Sequence, residues 1–530
     1  MSERKQSVAY GAFVLSVSGF LVKLVGAVFR IPLTNLVGAA AMSYFTSAYS
    51  IYVFLLAIAT SGLPTGIATM VSRSLALEKY KDVPKILKIA AMIFIPLGIC
   101  LALLGFIFAM PLAEAMNSRE AYWSVAAIMP AIVCICIVSV FKGFFQGYRN
   151  MTPTAVSNLI EAIVKLLAGY GIAYYLYNNG YNDRLEIVVG GAVLGVSIST
   201  FVAMVFMSAR FLMRGKEYRL PPKEALPETE TAWKKLSRDF LIISLPLIVS
   251  SVTANLMSLV DAFVVMNRLK TYMPVDDAKL LWGAYGNMAL TIFNLPSFLV
   301  TAIGMSLIPA IAAAHAKKDR EQIIKTSNDT LRFSAILAFG SAFGLNAVSQ
   351  PVLNLFFPRD PSGVEVATPL LQIISFALIS VGLTNITASI LQAVGKTYLP
   401  VISVAVGALI KTVSTLILVS IPSVNVLGAP IATNIAYPVM FVMNIVFIKK
   451  HLGFLPEWVN VIFKPLASGA VCWGAAKLFF FLFDKILPQK IALFPSIICA
   501  ILVYFVFMIL INLVSFNEFK DFLLKRRNKA

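Results

Sequence analysis

The sequence predicts an all-α polytopic membrane protein of about fourteen transmembrane helices. Three observations lead there. Of 530 residues, 59% are hydrophobic and only 13% charged, against about a quarter charged in a soluble domain. Apolar runs of about twenty residues, enough to cross a hydrocarbon core, recur from Val8 to Leu513. The lysines and arginines fall in alternate loops between those runs.

Taken in order, the spans read as 8–32, 43–72, 89–111, 122–146, 154–178, 187–209, 239–266, 280–314, 333–355, 367–392, 398–421, 425–448, 460–484 and 491–515. The loops on the side of the N-terminus hold 29 Lys and Arg, the opposite loops 8, and the remaining 7 lie within spans. This bias predicts that both termini are cytoplasmic. It also accounts for the net charge of +19 as topology, so a nucleic-acid partner is not expected. The first run is too long for a signal-peptide core and lacks a small-residue cleavage site, so it reads as a retained helix. All five cysteines lie within spans, where they behave as small apolar residues, and no disulfide is expected.

A Pro- and charge-rich stretch follows the sixth span and reads as a linker, which prompts a search for a repeat. Gln146 to Pro153 followed by a helix carrying Lys165 is echoed by Gln392 to Pro400 followed by a helix carrying Lys411. Pro64 before one basic loop is echoed by Pro309 before another. The shared offset predicts two six-helix lobes related by a parallel repeat, with two C-terminal helices outside it. The expected division is residues 1–213 for the first lobe, 214–238 for the cytoplasmic linker, 239–449 for the second lobe and 450–530 for the last two helices and a basic tail.

A charge at bilayer depth costs a few kcal/mol and asks for an explanation. Lys23 and Arg30 are seven residues apart, two turns along one helix face, with no acid in their own helix. Arg30 near Pro32 can snorkel to an interface, but Lys23 is too central for that. Together they suit an anionic group such as a pyrophosphate. Glu161 and Lys165, at i and i+4, either neutralise each other or line the same cavity. Asp261 has no cation at helical spacing before Arg268, which calls for a partner from another helix, a bound cation or a proton; Lys411 is the economical partner. Lys142 reads as an interface residue, and Lys464 and Lys477 as features of the appended helices. Gly62, Pro64 and Gly66 in one lobe, and Pro246, Pro296 and Pro309 in the other, predict breaks or kinks.

Enzyme signatures are missing: there is no phosphate-binding glycine loop, no cysteine–histidine cluster and no large soluble loop, and the only histidines are His315 and His451. No resident cofactor or metal is expected, while coupling to sodium or a proton is compatible with Asp261.

Three segments carry a resemblance. Gly143-Phe-Phe-Gln-Gly147, Met151-Thr-Pro-Thr-Ala-Val-Ser157 and the Glu161–Lys165 pair form the most specific. The second runs through Leu259-Val-Asp261, Tyr285-Gly286, Leu295-Pro296 and Ile308-Pro309, and the third through Lys23-Leu-Val-Gly26, Arg30-Ile-Pro32, Leu36-Val-Gly38 and Tyr44. On these the chain resembles the multidrug/oligosaccharidyl-lipid/polysaccharide exporter superfamily, in its branch of stage V sporulation protein B and Gram-positive lipid II flippases. The resemblance implies two lobes in a V, alternating access, and an undecaprenyl-pyrophosphate-linked oligosaccharide as substrate. It also implies a bacterial cytoplasmic membrane setting, with membrane lipids and cell-wall synthesis enzymes as partners. Where proteobacterial members carry an Asp after the first helix, this chain has Ser43, and it lacks their intramembrane arginines in the second and eighth helices. The functional constellation carried over is Lys23, Arg30, Glu161, Lys165 and, for coupling, Asp261 with Lys411. Two other readings stay open at this point: a cation-coupled drug or metabolite antiporter, and a non-transporting scaffold for envelope or spore assembly.

Overall fold

The computed structural model describes residues 8–60, 62–219, 231–317 and 319–514. Among them there is no strand, and ten helices are long and apolar enough to cross a membrane, or up to twelve if each of two bent helix pairs is one span. The chain is an all-α multi-pass membrane protein.

Packing groups the chain into two compact units, residues 1–287 and 288–530. In the first, α1 (Val8–Thr60) is followed by α2 (Leu63–Ala76), α3 (Asp82–Ile107), α4 (Tyr122–Gly147), α5 (Thr152–Val164), α6 (Leu185–Arg219), α7 (Trp233–Leu269) and α8 (Val275–Gly283). The unit ends at Asn287 rather than in the linker because α7 and α8 both pack extensively on α1. Five-residue hydrogen-bond registers lengthen α5 through a π turn at Lys165–Gly169. The break expected near Gly62 and Pro64 falls between Thr60 and Leu63, with the proline in the first turn of α2, where its missing N–H costs nothing. By contrast, α7 continues through Pro246.

The core of the first unit joins Leu63, Ile67 and Val71 of α2 to Phe144 and Phe145 of α4 and Phe240 of α7. Gly143 and Gly147, one turn apart, make this approach possible: a Cβ at either would overlap the side chain of Ile67 or Val71. The FFQG segment is thus a packing surface, with its two phenylalanines fully buried between its two glycines.

In the second unit α9 (Leu290–Ala316), which runs on through Pro296, precedes α10 (Arg320–Ala347), α11 (Ser349–Phe356), α12 (Pro361–Ser375), α13 (Ala377–Ala393), α14 (Tyr398–Val419), α15 (Gly428–Leu452), α16 (Lys464–Asp484) and α17 (Gln489–Leu510). The side chain of Pro309 lies outside the described residues. A buried amide knots this unit: Asn444 donates to the Thr387 hydroxyl at 3.2 Å and accepts from Ser403 at 2.6 Å. The two appended helices pack on each other and on α10, where the Tyr504 hydroxyl donates to the Ile336 carbonyl at 2.6 Å. A cavity of about 380 Å³ there is lined by Gly340, Gly344, Cys472, Ala476 and Tyr504. It holds no charged side chain, so it is not a place for a phosphate.

The repeat seen in the sequence is visible in local geometry. After α4, Asn150 N–H donates to the Phe145 carbonyl and Arg149 N–H to that of Gln146; after α13, Lys396 N–H donates to Leu391 and Gly395 N–H to Gln392. The two turns are the same helix-ending motif. Its left-handed position holds Gly395 at φ 79° in one copy and Arg149 at φ 58° in the other.

Candidate functional site

The site starts from Gly38. Its φ of 79° and ψ of 164° interrupt α1 in a region only glycine occupies readily. On a straight helix Arg30 and Tyr49 would stand about 28 Å apart at 1.5 Å per residue. Instead the Arg30 guanidinium lies 5.1 Å from the Tyr49 ring centre and 5.3 Å from that of Phe45. The chain therefore folds back at Gly38, and α1 comprises two helical segments.

Arg30 is held on both sides. Phe29, Phe45, Tyr49 and Tyr52 form a run of ring contacts at 5.3 to 5.9 Å, which gives the guanidinium a π surface. Its Nη1 donates to the Gly286 carbonyl at 3.3 Å, in the π turn Ala284–Ala289. Next to it, the fully buried Asn287 donates to the Met42 carbonyl at 2.8 Å and the Thr46 hydroxyl at 2.5 Å. The Tyr285-Gly286 segment is therefore what docks on the part of α1 after Gly38. Arg30 is not a snorkelling residue: its charge is stacked and directed within the unit.

The other charges gather round Tyr49, which interacts electrostatically with Lys165, Arg30, Lys23 and Glu161. Lys23 is exposed, and Glu161 and Lys165 are half-buried. Among the described residues Glu161 and Lys165 form no direct ion pair; the backbone turns to π spacing at Lys165, so the expected mutual neutralisation is not how the two are held. Glu161 also faces Lys142 electrostatically, and Lys142 Nζ donates to Asn158 Oδ1 at 2.7 Å. Lys23, Arg30 and Lys165 thus share the surroundings of Tyr49 with Glu161, and Lys142 acts on Glu161.

Asp261, on α7, and Lys411, on α14, are both buried. They belong to the first and second compact units respectively. Lys411 follows the α13–α14 turn as Lys165 follows the α4–α5 turn, so the two are repeat counterparts.

Two residues of weight were missed in the sequence. Lys142 reads from its own helix as an interface residue, although Asn158 and Glu161 lie at helical spacing on the facing helix and signal a polar seam. Lys279, placed in a loop, is buried: Nζ donates to Glu120 Oε1 at 2.9 Å and stands 5.3 Å from the Tyr44 ring centre. With the hydrogen bond between Asn117 and Asn267, this pins α7 and α8 to the loop before α4.

The family follows from comparison with known proteins. A family model described as "Polysaccharide biosynthesis protein" matches residues 8–315, more than half of the chain. The chain belongs to this polysaccharide biosynthesis protein family. A second model, MatE, matches residues 246–417, and the two together support the multidrug/oligosaccharidyl-lipid/polysaccharide exporter superfamily for this family member. It is 26% identical to the uncharacterized membrane protein YabM of Bacillus subtilis (strain 168), over 89% of this chain and 86% of that protein. It is 24% identical to the lipid II flippase MurJ of the same organism, over 84% of this chain and 83% of that one. A solved structure of lipid II flippase MurJ in an inward closed conformation matches with a TM-score of 0.70 at 16% identity, covering 94% of this chain and 98% of that one. MurJ is by name a flippase rather than an enzyme.

Proposed function

We propose that this family member flips an undecaprenyl-pyrophosphate-linked cell-envelope precursor, lipid II or a related lipid-linked oligosaccharide, across the bacterial cytoplasmic membrane. The observation that carries the reading is the grouping of Lys23, Arg30 and Lys165 with Glu161 around Tyr49, with Lys142 beside Glu161. Its net positive charge suits a pyrophosphate, and Arg30 is preorganised for it by Phe45 and Tyr49, so little ordering is needed on binding. In this scheme the headgroup enters between two lobes, 1–213 and 239–449, while the polyprenyl tail stays in lipid, and rocking of the lobes exposes the headgroup outside. No covalent step is involved. Counting α1 as two crossings, each bent pair as one, and Val275–Ala316 as one brings the ten membrane helices to fourteen, with both termini cytoplasmic. Asp261 and Lys411 are the candidates for coupling to sodium or a proton, and cell-wall synthesis enzymes are the proposed protein partners.

Rescue of cells depleted of their own lipid II flippase tests the reading, with reconstituted flipping of a pyrophosphate-linked lipid as the direct assay. Failure of both would overturn it. The MatE match over residues 246–417 favours a second reading, a cation-coupled drug or metabolite antiporter. That reading requires gradient-driven efflux of an organic cation, and neutralising Lys23 or Lys165 would leave it intact. A scaffold without transport would likewise tolerate these substitutions.

A further inference from the structure

The cations are ordered in depth as well as clustered. Ser18 Oγ donates to the Ala155 carbonyl at 3.0 Å, and the Phe29 ring lies against Gly169. Both contacts advance in the same direction along α1 and α5, so the two helices run parallel in a known register. At 1.5 Å per residue from the Thr152 end of α5, Asn158 stands at about 9 Å, Glu161 at about 14 Å and Lys165 at about 20 Å. The Ser18–Ala155 contact places Lys23 at about 12 Å and Arg30 at about 23 Å on the same scale. The 2.7 Å bond from Lys142 to Asn158 brings its ammonium to the level of Asn158.

We propose that Lys142 is the entry contact of the anion site, the first rung of a cationic ladder that continues through Lys23 and Lys165 to Arg30. The proposal deepens the flippase reading and rests on it, including its topology, in which the Thr152 end of α5 is cytoplasmic. No axial gap between successive rungs exceeds about 8 Å, which two flanking side chains with a pyrophosphate between them can bridge, so an anionic headgroup moves along the lobe without losing contact with a positive charge. Asn158 holds the ammonium while leaving its charge uncancelled, because a carboxamide is neutral and occupies only one of three N–H donors. Glu161, less than a turn further on, balances the cations when no anion is bound, which lowers the cost of keeping them together at bilayer depth.

The test uses the full-length protein in nanodiscs, with undecaprenyl pyrophosphate and undecaprenol as probes. Lys142→Gln removes the charge, and Asn158→Asp cancels it in place. Each is expected to weaken binding of the pyrophosphate lipid about tenfold, the effect of one lost charge-assisted hydrogen bond. Undecaprenol binding should stay unchanged, and Lys142→Arg should stay close to wild type. Wild-type affinity for undecaprenyl pyrophosphate in both Lys142→Gln and Asn158→Asp overturns the entry role. Equal loss of both probes overturns it too, since the residue would then be structural. A wild-type protein that does not distinguish the two lipids overturns the anionic-headgroup reading itself, and the ladder with it.

Discussion

Replacing Gly38 by alanine should destabilise the first unit through one backbone angle. At φ 79° and ψ 164° the residue sits in a region that an L side chain enters at a cost of about 1–3 kcal/mol. Asparagine gives no relief, because its tolerance is for the left-handed helical region, with ψ near about 50°. Gly26 provides the control: it lies in the same helix, and a Cβ there meets nothing within 4 Å. Gly26→Ala should therefore gain up to about 1 kcal/mol from helix propensity. The two alanine substitutions thus differ by about 3 kcal/mol, roughly a hundredfold in the folded-to-unfolded ratio. The assay is thermal and denaturant unfolding of both variants in one detergent, with flipping measured alongside. Gly38→Ala should unfold earlier and lose flipping, since Arg30 meets Tyr49 only through the reversal. If Gly38→Ala and Gly26→Ala unfold together and both flip normally, the reversal does not depend on glycine and the account of the site's geometry fails.

Other substitutions probe separate contacts in the molecule. Lys23→Ala should abolish rescue of flippase-depleted cells with normal membrane accumulation, and Lys23→Arg should restore part of it; normal growth of both Lys23→Ala and Arg30→Ala would remove the main support for an anionic headgroup. Glu120→Gln and Lys279→Met, combined in a double-mutant cycle, should show a coupling of about 1 kcal/mol in unfolding, kept small by the exposure of Glu120 and by Asp276 standing 3.8 Å from Lys279; additive effects would mean that the pin contributes nothing. Arg149→Gly, which copies Gly395 into the first turn, should stabilise by about 0.5 kcal/mol, the relief of left-handed strain less the extra freedom of glycine in the unfolded chain. For topology, a cysteine at Asp319 should be shielded from a membrane-impermeant thiol reagent in intact cells and one at Asn182 should react; labelling at Asp319 breaks the fourteen-helix assignment.

These tests share a logic that follows from how the charges are held. Arg30 stacks on two rings and bonds one carbonyl, Lys142 bonds one carboxamide, and Lys23 and Lys165 make no hydrogen bond or ion pair among the described residues. Cations held in this way remain available to an anion, whereas Lys279, hydrogen-bonded to Glu120 and buried, does not. Removing a cluster cation should therefore act on transport, and removing Lys279 on stability.

Composition, run length and the alternation of basic loops by themselves determined that this chain is a polytopic α-helical membrane protein, because the cost of exposing backbone polar groups to lipid leaves helices as the solution for long apolar segments. The repeat was also legible, since the same helix-ending turn needs similar residues at Gln146 to Pro153 and at Gln392 to Pro400. Single charges at bilayer depth marked Lys23, Arg30, Glu161 and Lys165, because each carries a cost that local sequence does not offset. The tertiary structure alone decided what each one meets. Lys142 reads from its own helix as an interface residue, yet Asn158 of another helix binds it, and Lys279 reads as a loop residue, yet Glu120 and Tyr44 close over it. The fold-back at Gly38, which brings together residues nineteen positions apart, leaves no periodic trace, since a glycine in an apolar run is equally compatible with a straight helix. Helical spacing reports neighbours within one helix; contacts between helices depend on register and rotation, which only packing sets.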